Sequence, residues 1–251
     1  MVHFVGAGSG AADLITVRGK RLLEEADVII YAGSLVNPEL LNYAKLRCEI
    51  FDSAYMTLDE VIAVIERAEK EGKTTVRLHT GDSSIYGAIR EQMDRLEPLG
   101  IKYDVCPGVS SFCGAAAALN VEYTLPNVSQ SVIITRMAGR TPVPERESIK
   151  SFAAHHATMV VFLSTGLLKE LSAELIEGGY SADTPAAIVY KATWPDQKVC
   201  RCTVGTLAQT AAENNITKTA LMVIGDCLGN EYELSRLYAP DFSTEFRKAS
   251  K

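Results

Sequence analysis

No two cysteines in this chain have the C-x-x-C spacing of a zinc or dithiol site. Cys48, Cys106, Cys113, Cys200, Cys202 and Cys227 are scattered over 251 residues, and Cys200-x-Cys202 has no second ligand pair near it. Thiols spaced this way read as reduced structural residues, not as a metal or disulfide framework. Long apolar runs are missing too. None approaches the roughly 18 residues that a membrane span needs. The N-terminus enters an apolar strand without a basic region or a signal-type core, so a cytoplasmic location and no membrane partner are expected. Positive charge is scarce: 25 Lys and Arg against 31 Asp and Glu leave a net charge of −6. That disfavours a nucleic-acid partner, which would select a basic face, although a local basic pocket remains compatible with it. There is no low-complexity segment and no internal repeat.

What is present is an alternation of strand and helix signals. VHFV at 2–5 reads as a buried strand, LITVRGKRLLEEA at 14–26 as a helix, and DVIIY at 27–31 as a second strand. A helix from Asn37 to Lys45 and a short strand near Ile50 follow. Thr57-Leu-Asp-Glu60 is a capping box, after which Leu58, Val61, Ile62, Ile65 and Ala68 repeat at helical spacing, with Gly72 as the stop. KTTVRLH at 73–79 returns to strand. Ile85, Ile89, Met93 and Leu96 mark another helix, and IKYDV at 101–105 a fifth strand. Strands separated by helices predict a mostly parallel sheet covered on both faces. Residues 107–130 are rich in small and turn-forming residues. A second strand–helix series runs through SVIIT, TMVVFL, GLLKELSAELIEG, PAAIVY, KVCRCTV and TALMVIG. The expected fold is therefore two consecutive α/β domains, the first mostly parallel and the second mixed. Residues 1–115 form the N-terminal domain, 116–232 the C-terminal domain and 233–251 a polar tail, with the active-site cleft between the domains.

The opening VGAGSGAA has the G-x-G-x-x-A spacing of a dinucleotide-binding loop. That reading also requires an acid at the C-terminal end of the second strand to hold the ribose. In DVIIYAGS the acid, Asp27, sits at the wrong end, and the other end offers Tyr31, Gly33 and Ser34. No G-K-[ST] follows, so a Walker loop fails as well. Two further turns are of the same kind, HTGDSSIYGA at 79–88 and CPGVSSFCGAA at 106–116. All three leave a strand and enter a helix, and open α/β sheets place ligands at such strand ends. Gly81 permits close backbone approach, Asp82 supplies an acceptor, and Ser83, Ser84, Ser110 and Ser111 add hydroxyls. One serine alone reads as a helix cap; three such turns together read as a ligand site.

The ordered set VGAGSGAADLIT, TGDSSIYG and PGVSS resembles the tetrapyrrole methyltransferases of the cobalamin pathway over residues 2–230. YAGSLV, RLHTGD, QSVIITRMAGRTPVPE and ATWPDQ place it nearest to the carbon-11 branch of that family. Ser9 and Ser83 stand where the family usually has proline, which frees the backbone and restores an N–H at each. The resemblance implies S-adenosylmethionine as methyl donor, a tetrapyrrole as the small-molecule substrate and a homodimer. It maps the cofactor contacts onto Thr80, Gly81, Asp82, Ile85, Ser110, Ser111, Leu163, Ser164 and Ala192, with Ser9 at the cofactor–substrate boundary. Gly6, Gly8 and Gly10 then line the tetrapyrrole side.

Methyl transfer from a sulfonium needs alignment more than acid–base help, so Asp82 is expected to position and not to carry protons. A polycarboxylate substrate calls for cations; Arg136 and Arg140 are the first candidates, Arg18 and Lys191 the weaker ones. His79 ends a buried strand and reads as structural, and the His155-His156 pair lacks ligand spacing, so no metal is assigned. A methyltransferase for another tetrapyrrole carbon, a protein or rRNA, an NAD-dependent oxidoreductase and a non-catalytic ligand-binding module are the alternatives.

Overall fold

A computed structural model describes residues 1–250, apart from the side chain of Ser34; Lys251 and that side chain lie outside the description. The chain divides into two compact units, the first comprising residues 1–115 and 191–197 and the second residues 116–190 and 198–251.

The first unit is built on β1 (Val2–Gly6), β2 (Val28–Tyr31), β3 (Glu49–Asp52), β4 (Thr75–His79) and β5 (Tyr103–Cys106), with α1 (Val17–Glu25), α2 (Leu58–Lys70), α3 (Ile89–Leu96) and the start of α4 (Ser111–Leu119) between and after them. The sheet order is β3-β2-β4-β1-β5, and every pairing is parallel. Alternation along each strand divides its apolar residues between two cores. Val5, Ile29, Val76 and Leu78 pack with Leu23 of α1, whereas Val2, Phe4, Val28 and Ile30 pack with Val61, Ile62 and Ile65 of α2 and Leu96 of α3. α2 begins at the expected capping box, in which Thr57 N–H donates to Glu60 Oε2 at 2.7 Å and Glu60 N–H returns to Thr57 Oγ1 at 3.3 Å.

Three expected helices are shorter than their apolar spacing predicts. The helix expected over 14–26 starts only at Val17, because Thr16 takes extended backbone and its hydroxyl accepts the Gly19 N–H as the N-cap. Residues 38–43 form a 3-10 turn and not an α-helix, begun by Pro38 and by the Asn37 side chain, which accepts the Glu39 N–H. Ile85 lies outside α3: Tyr86 and Ala88 both have positive φ, and the turn brings Gly87 against the Ser83 carbonyl where a Cβ would clash.

The second unit contains β6 (Val132–Arg136), α5 (Ile149–Ala153), β7 (Thr158–Phe162), α6 (Leu168–Glu177), β8 (Pro185–Tyr190), β9 (Lys198–Thr203), α7 (Leu207–Glu213) and β10 (Ala220–Ile224). Its order is β6-β7-β10-β8-β9. The sheet is mixed: β6 and β7 are parallel, and β10 runs antiparallel to both β7 and β8. Leu168, Leu171 and Leu175 of α6 and Leu207 of α7 cover Met159, Val161, Ile188 and Met222. The helices α5 and α7 are too short to give a readable period in the sequence. Residues 191–197, the β8–β9 connection, group with the first unit and not with the C-terminal domain in which the sequence places them. Among the described residues no helix is long and apolar enough to cross a membrane.

Candidate active site

The strands β4, β1 and β5 are neighbours, so the three small-residue turns that leave them lie side by side at one sheet edge. They are stitched together by backbone. Ala7 N–H donates to His79 O at 2.7 Å; Gly8 and Gly81 exchange N–H to carbonyl bonds of 3.2 and 3.0 Å. A Cβ on Gly6 would lie 2.6 Å from both Gly108 Cα and Gly81 O, and one on Gly108 would lie 2.7 Å from Gly6 Cα. Gly6 and Gly108 are therefore packed against each other and against the Gly81 carbonyl, which at those two positions only residues without a side chain permit. Gly6, expected to line a substrate wall, has its side-chain position occupied by this packing.

Asp82 joins two of the turns. Its Oδ2 accepts the Gly108 N–H at 2.8 Å, and its Oδ1 accepts the Ser84 N–H at 2.9 Å and the Ser84 hydroxyl. Burial pushes this carboxyl up, but the bonds from the Ser84 hydroxyl and the two N–H groups outweigh burial and hold it below the usual carboxylate range. With its lone pairs so engaged, the carboxylate holds the backbone of both turns. Gly81, at φ +59°, is the more open position: a Cβ there would meet Ser111 N at 3.4 Å and Ser110 Cα at 3.5 Å, ordinary contact distances. Ser110 is buried, Thr80, Ser111 and Ile85 are half-buried, and Ile85 N–H closes the turn onto Asp82 O at 3.2 Å.

Beneath the turns lies a buried basic pair. Arg77 donates to Gln92 Oε1, Ile30 O and Ser53 Oγ, each at 3.0 Å, and burial lowers its pKa to about 10. His79 is lowered to about 3 by burial and then by the Arg77 charge, and its Nε2 has no hydrogen-bond partner. It is a neutral imidazole not coupled to any serine. The Ser83 hydroxyl, where the family pattern has proline, is likewise buried without a partner.

The glycine loop is held from two other directions. Asn37 Nδ2 donates to Gly10 O at 3.0 Å. Ala192 O and the Trp194 indole fill the space that a side chain on Gly10 would take. Asn37, Thr193 and Trp194 were not foreseen from the sequence. Asn37 had one visible signal, the Asn-Pro pair that opens a turn; Thr193 and Trp194 lie in the ATWPDQ stretch of the family resemblance, where no single side chain stood out.

In the second unit, Ser164 is fully buried at the end of β7, where its hydroxyl donates to Phe162 O at 2.7 Å and accepts the Met137 N–H at 2.9 Å. It thereby fixes the end of β6 against the end of β7. Leu163 beside it has φ +52° and is 68% exposed, an unusual conformation and exposure for leucine. Arg136 is not a free cation: Nη1 donates to Met137 O and Thr141 O, and Nη2 to Pro142 O at 2.8 Å. It braces the loop that carries the exposed Arg140. Of the weaker candidates, Arg18 is exposed and Lys191 is ion-paired with Asp196 at 2.6 Å.

The family pattern of the tetrapyrrole (corrin/porphyrin) methylases matches residues 1–208. The chain belongs to this family. Within it, the chain is 51% identical to the cobalt-precorrin-4 C(11)-methyltransferase of Methanocaldococcus jannaschii, over 100% of this chain and 97% of that one. It is 46% identical to the precorrin-4 C(11)-methyltransferase of a Sinorhizobium species, over 98% of each. Among solved tetrapyrrole methylases, the X-ray structure of a cobalamin biosynthetic enzyme, cobalt precorrin-4 methyltransferase, superposes with a TM-score of 0.89 at 45% identity, covering 91% of this chain and 96% of that one. The departures at Ser9 and Ser83 thus sit inside a methylase chain matched along its whole length.

Proposed function

We propose that the protein is a methyltransferase that carries the methyl group of S-adenosylmethionine to carbon 11 of precorrin-4 or cobalt-precorrin-4. The observation that carries this reading is the site itself: three backbone turns locked at adjacent strand ends, two of them joined by an ionised Asp82, in a chain 46–51% identical to C(11)-methyltransferases along its full length. The residues fit the donor. A Cβ on Gly81 would meet only Ser110 and Ser111 backbone, at 3.4–3.9 Å, which leaves a methyl-sized recess, and Asp82 keeps a negative charge in the same turn, a suitable donor and acceptor set for an amino acid–nucleoside cation. The family resemblance assigns its contacts to Thr80, Gly81, Asp82, Ile85, Ser110, Ser111, Leu163, Ser164 and Ala192, with Ser9 at the cofactor–substrate boundary.

When bound, S-adenosylmethionine supplies an already electrophilic methyl carbon. What the chain adds is alignment. Locked turns remove freedom that would otherwise be lost at the moment of reaction, an effect that supplies up to roughly 7–11 kcal/mol in well-oriented systems. The neutral His79 and the depressed Asp82 carboxyl leave proton transfer outside this part of the site. Gly8, Gly10 and Arg140 face the tetrapyrrole in this reading. A cytoplasmic homodimer is expected in this reading; the dimer rests on the family resemblance, and light scattering tests it directly. The deciding experiment is incubation with precorrin-4 or cobalt-precorrin-4 and isotopically labelled donor, with the new methyl located by NMR. Label at another ring carbon, or none with either acceptor, overturns the reading.

A further inference from the structure

The β8–β9 connection groups with the first unit and reaches the glycine loop through two side chains that the sequence did not single out. The Thr193 hydroxyl accepts the Ala11 N–H at 3.0 Å and lies 3.1 Å from the Ser9 hydroxyl. Ser9 is only 8% exposed, so water is a poor substitute for that partner. The next residue, Trp194, is the single tryptophan of the chain, and its Nε1 lies 2.5 Å from where a Gly10 Cβ would be. Local bonds hold the connection in shape: Thr193 N–H donates to Gln197 Oε1 at 2.6 Å and Trp194 N–H to Lys191 O at 3.0 Å.

Thr193 does this at φ +69°, a region that β-branched residues avoid. Such strain persists only where the surroundings over-determine it, and it concentrates at functional sites. Glycine would take the same backbone more easily, so what threonine contributes there is its hydroxyl. That hydroxyl satisfies two groups of the glycine loop at once. The Ser9 hydroxyl it meets exists only because proline is absent at that position.

We propose that Thr193 is a positioning residue for methyl transfer: it fixes the backbone of residues 9–11, and so sets the alignment of the acceptor and not the affinity for the donor. This rests on the functional reading above, which gives the glycine loop to the tetrapyrrole. A displacement of about 1 Å at such a wall costs on the order of 100-fold in rate.

The test compares Thr193→Val, which removes the hydroxyl at nearly constant shape, with Thr193→Ser, which keeps it. In Thr193→Val the Ala11 amide should exchange about five- to tenfold faster, the worth of one hydrogen bond. The kcat for methyl transfer should fall about tenfold or more, equivalent to one lost bond in the transition state. The S-adenosylhomocysteine affinity, followed by Trp194 emission, should stay near wild type. Thr193→Ser should restore both Ala11 protection and kcat. Wild-type Ala11 exchange and kcat in a folded Thr193→Val protein overturn the proposal, as does a loss of S-adenosylhomocysteine affinity that accounts for the whole fall in kcat. If the wild-type protein methylates no tetrapyrrole, the functional reading fails by itself; Ala11 exchange still decides whether Thr193 holds the loop, and a wild-type rate there overturns that hold as well.

Discussion

The Asp82 carboxylate accepts the Gly108 N–H at 2.8 Å, so one side chain from the turn after β4 fixes the turn after β5. Its second oxygen is held by Ser84. Nothing in this arrangement requires Asp82 to change its protonation state.

Asp82→Asn tests this directly. An amide can keep one acceptor oxygen, but its NH2 then faces either the Gly108 or the Ser84 N–H, donor against donor. Losing a hydrogen bond to a charged group costs about 1.5–3 kcal/mol, so the S-adenosylhomocysteine Kd should rise about tenfold to 100-fold by calorimetric titration. The pH profile of kcat should keep its shape. An acidic limb that disappears in Asp82→Asn at normal affinity would make Asp82 a base.

The glycines separate into two classes by what a methyl group would meet. At Gly6 the obstacles are the Gly108 Cα and the Gly81 carbonyl, both 2.6 Å from the new Cβ, and neither can move alone. Gly6→Ala should therefore cost about 1–3 kcal/mol or more, as overpacking does, and lower the Tm. Gly81→Ala finds room, and its cost is the left-handed backbone, about 1–2 kcal/mol; a β-branched replacement would add strain of its own. The protein should fold, yet its recess beside Ser110 would be filled, and S-adenosylhomocysteine titration should show weakened binding. Normal affinity in folded Gly81→Ala would move the donor elsewhere.

These contrasts also show where sequence reasoning reached its limit. Strands such as VHFV and DVIIY were legible because β-branched and apolar runs end at Gly or Ser, and α2 was legible because Thr57 and Glu60 are three residues apart. That all three turns sit at the C-terminal ends of strands followed from parallel-sheet logic; their lateral order did not. What was not legible is non-local. Gly6 looks like any loop glycine until Gly108, more than 100 residues later, is seen against it. Thr193 has a side chain that argues against its own backbone conformation. Arg136 looked like a free cation because the carbonyls of Met137, Thr141 and Pro142 leave no signal in sequence. Short helices such as α5 are set by tertiary packing, which overrides weak local preference.

His79 predicts an acid limb in stability. Its folded pKa is depressed to about 3 from an ordinary value of 6.5. Between those values the unfolded chain binds a proton that the native protein does not, so stability falls as pH drops below about 6.5. From pH 7 to pH 5 the loss attributable to His79 is about 2 kcal/mol, and it changes little as long as the folded value stays below 4. Asp82 acts in the same direction at lower pH: its stabilisation is present above the unfolded carboxylate value of 3.8 and is lost as pH falls through the lower folded value. Urea unfolding of His79→Leu should show a flatter pH 5–7 profile than wild type, by about that amount. Parallel profiles would mean that His79 is solvated and titrates normally.

Arg136 and Arg140 should behave differently, although they lie only four positions apart. The Arg136 guanidinium is occupied by three backbone carbonyls, a planar fork that lysine reproduces poorly. Arg136→Ala and Arg136→Lys should loosen residues 137–142, seen as faster amide exchange there and a lower Tm. Arg140 is exposed on the braced loop, and Arg140→Ala should leave stability within about 0.5 kcal/mol. Its effect belongs to the substrate. A net charge of −6 opposes approach of a polycarboxylate, and a local cation offsets that field. Loss of one charge-assisted contact, about 1.5–3 kcal/mol, should raise the tetrapyrrole KM about tenfold to 100-fold and leave S-adenosylhomocysteine affinity intact. Added salt should weaken substrate binding by wild type more than by Arg140→Ala, because the screened charge is already missing in the variant. If Arg136→Ala raises the KM with an undisturbed loop while Arg140→Ala does nothing, Arg136 is the clamp and its carbonyl contacts give way when substrate arrives.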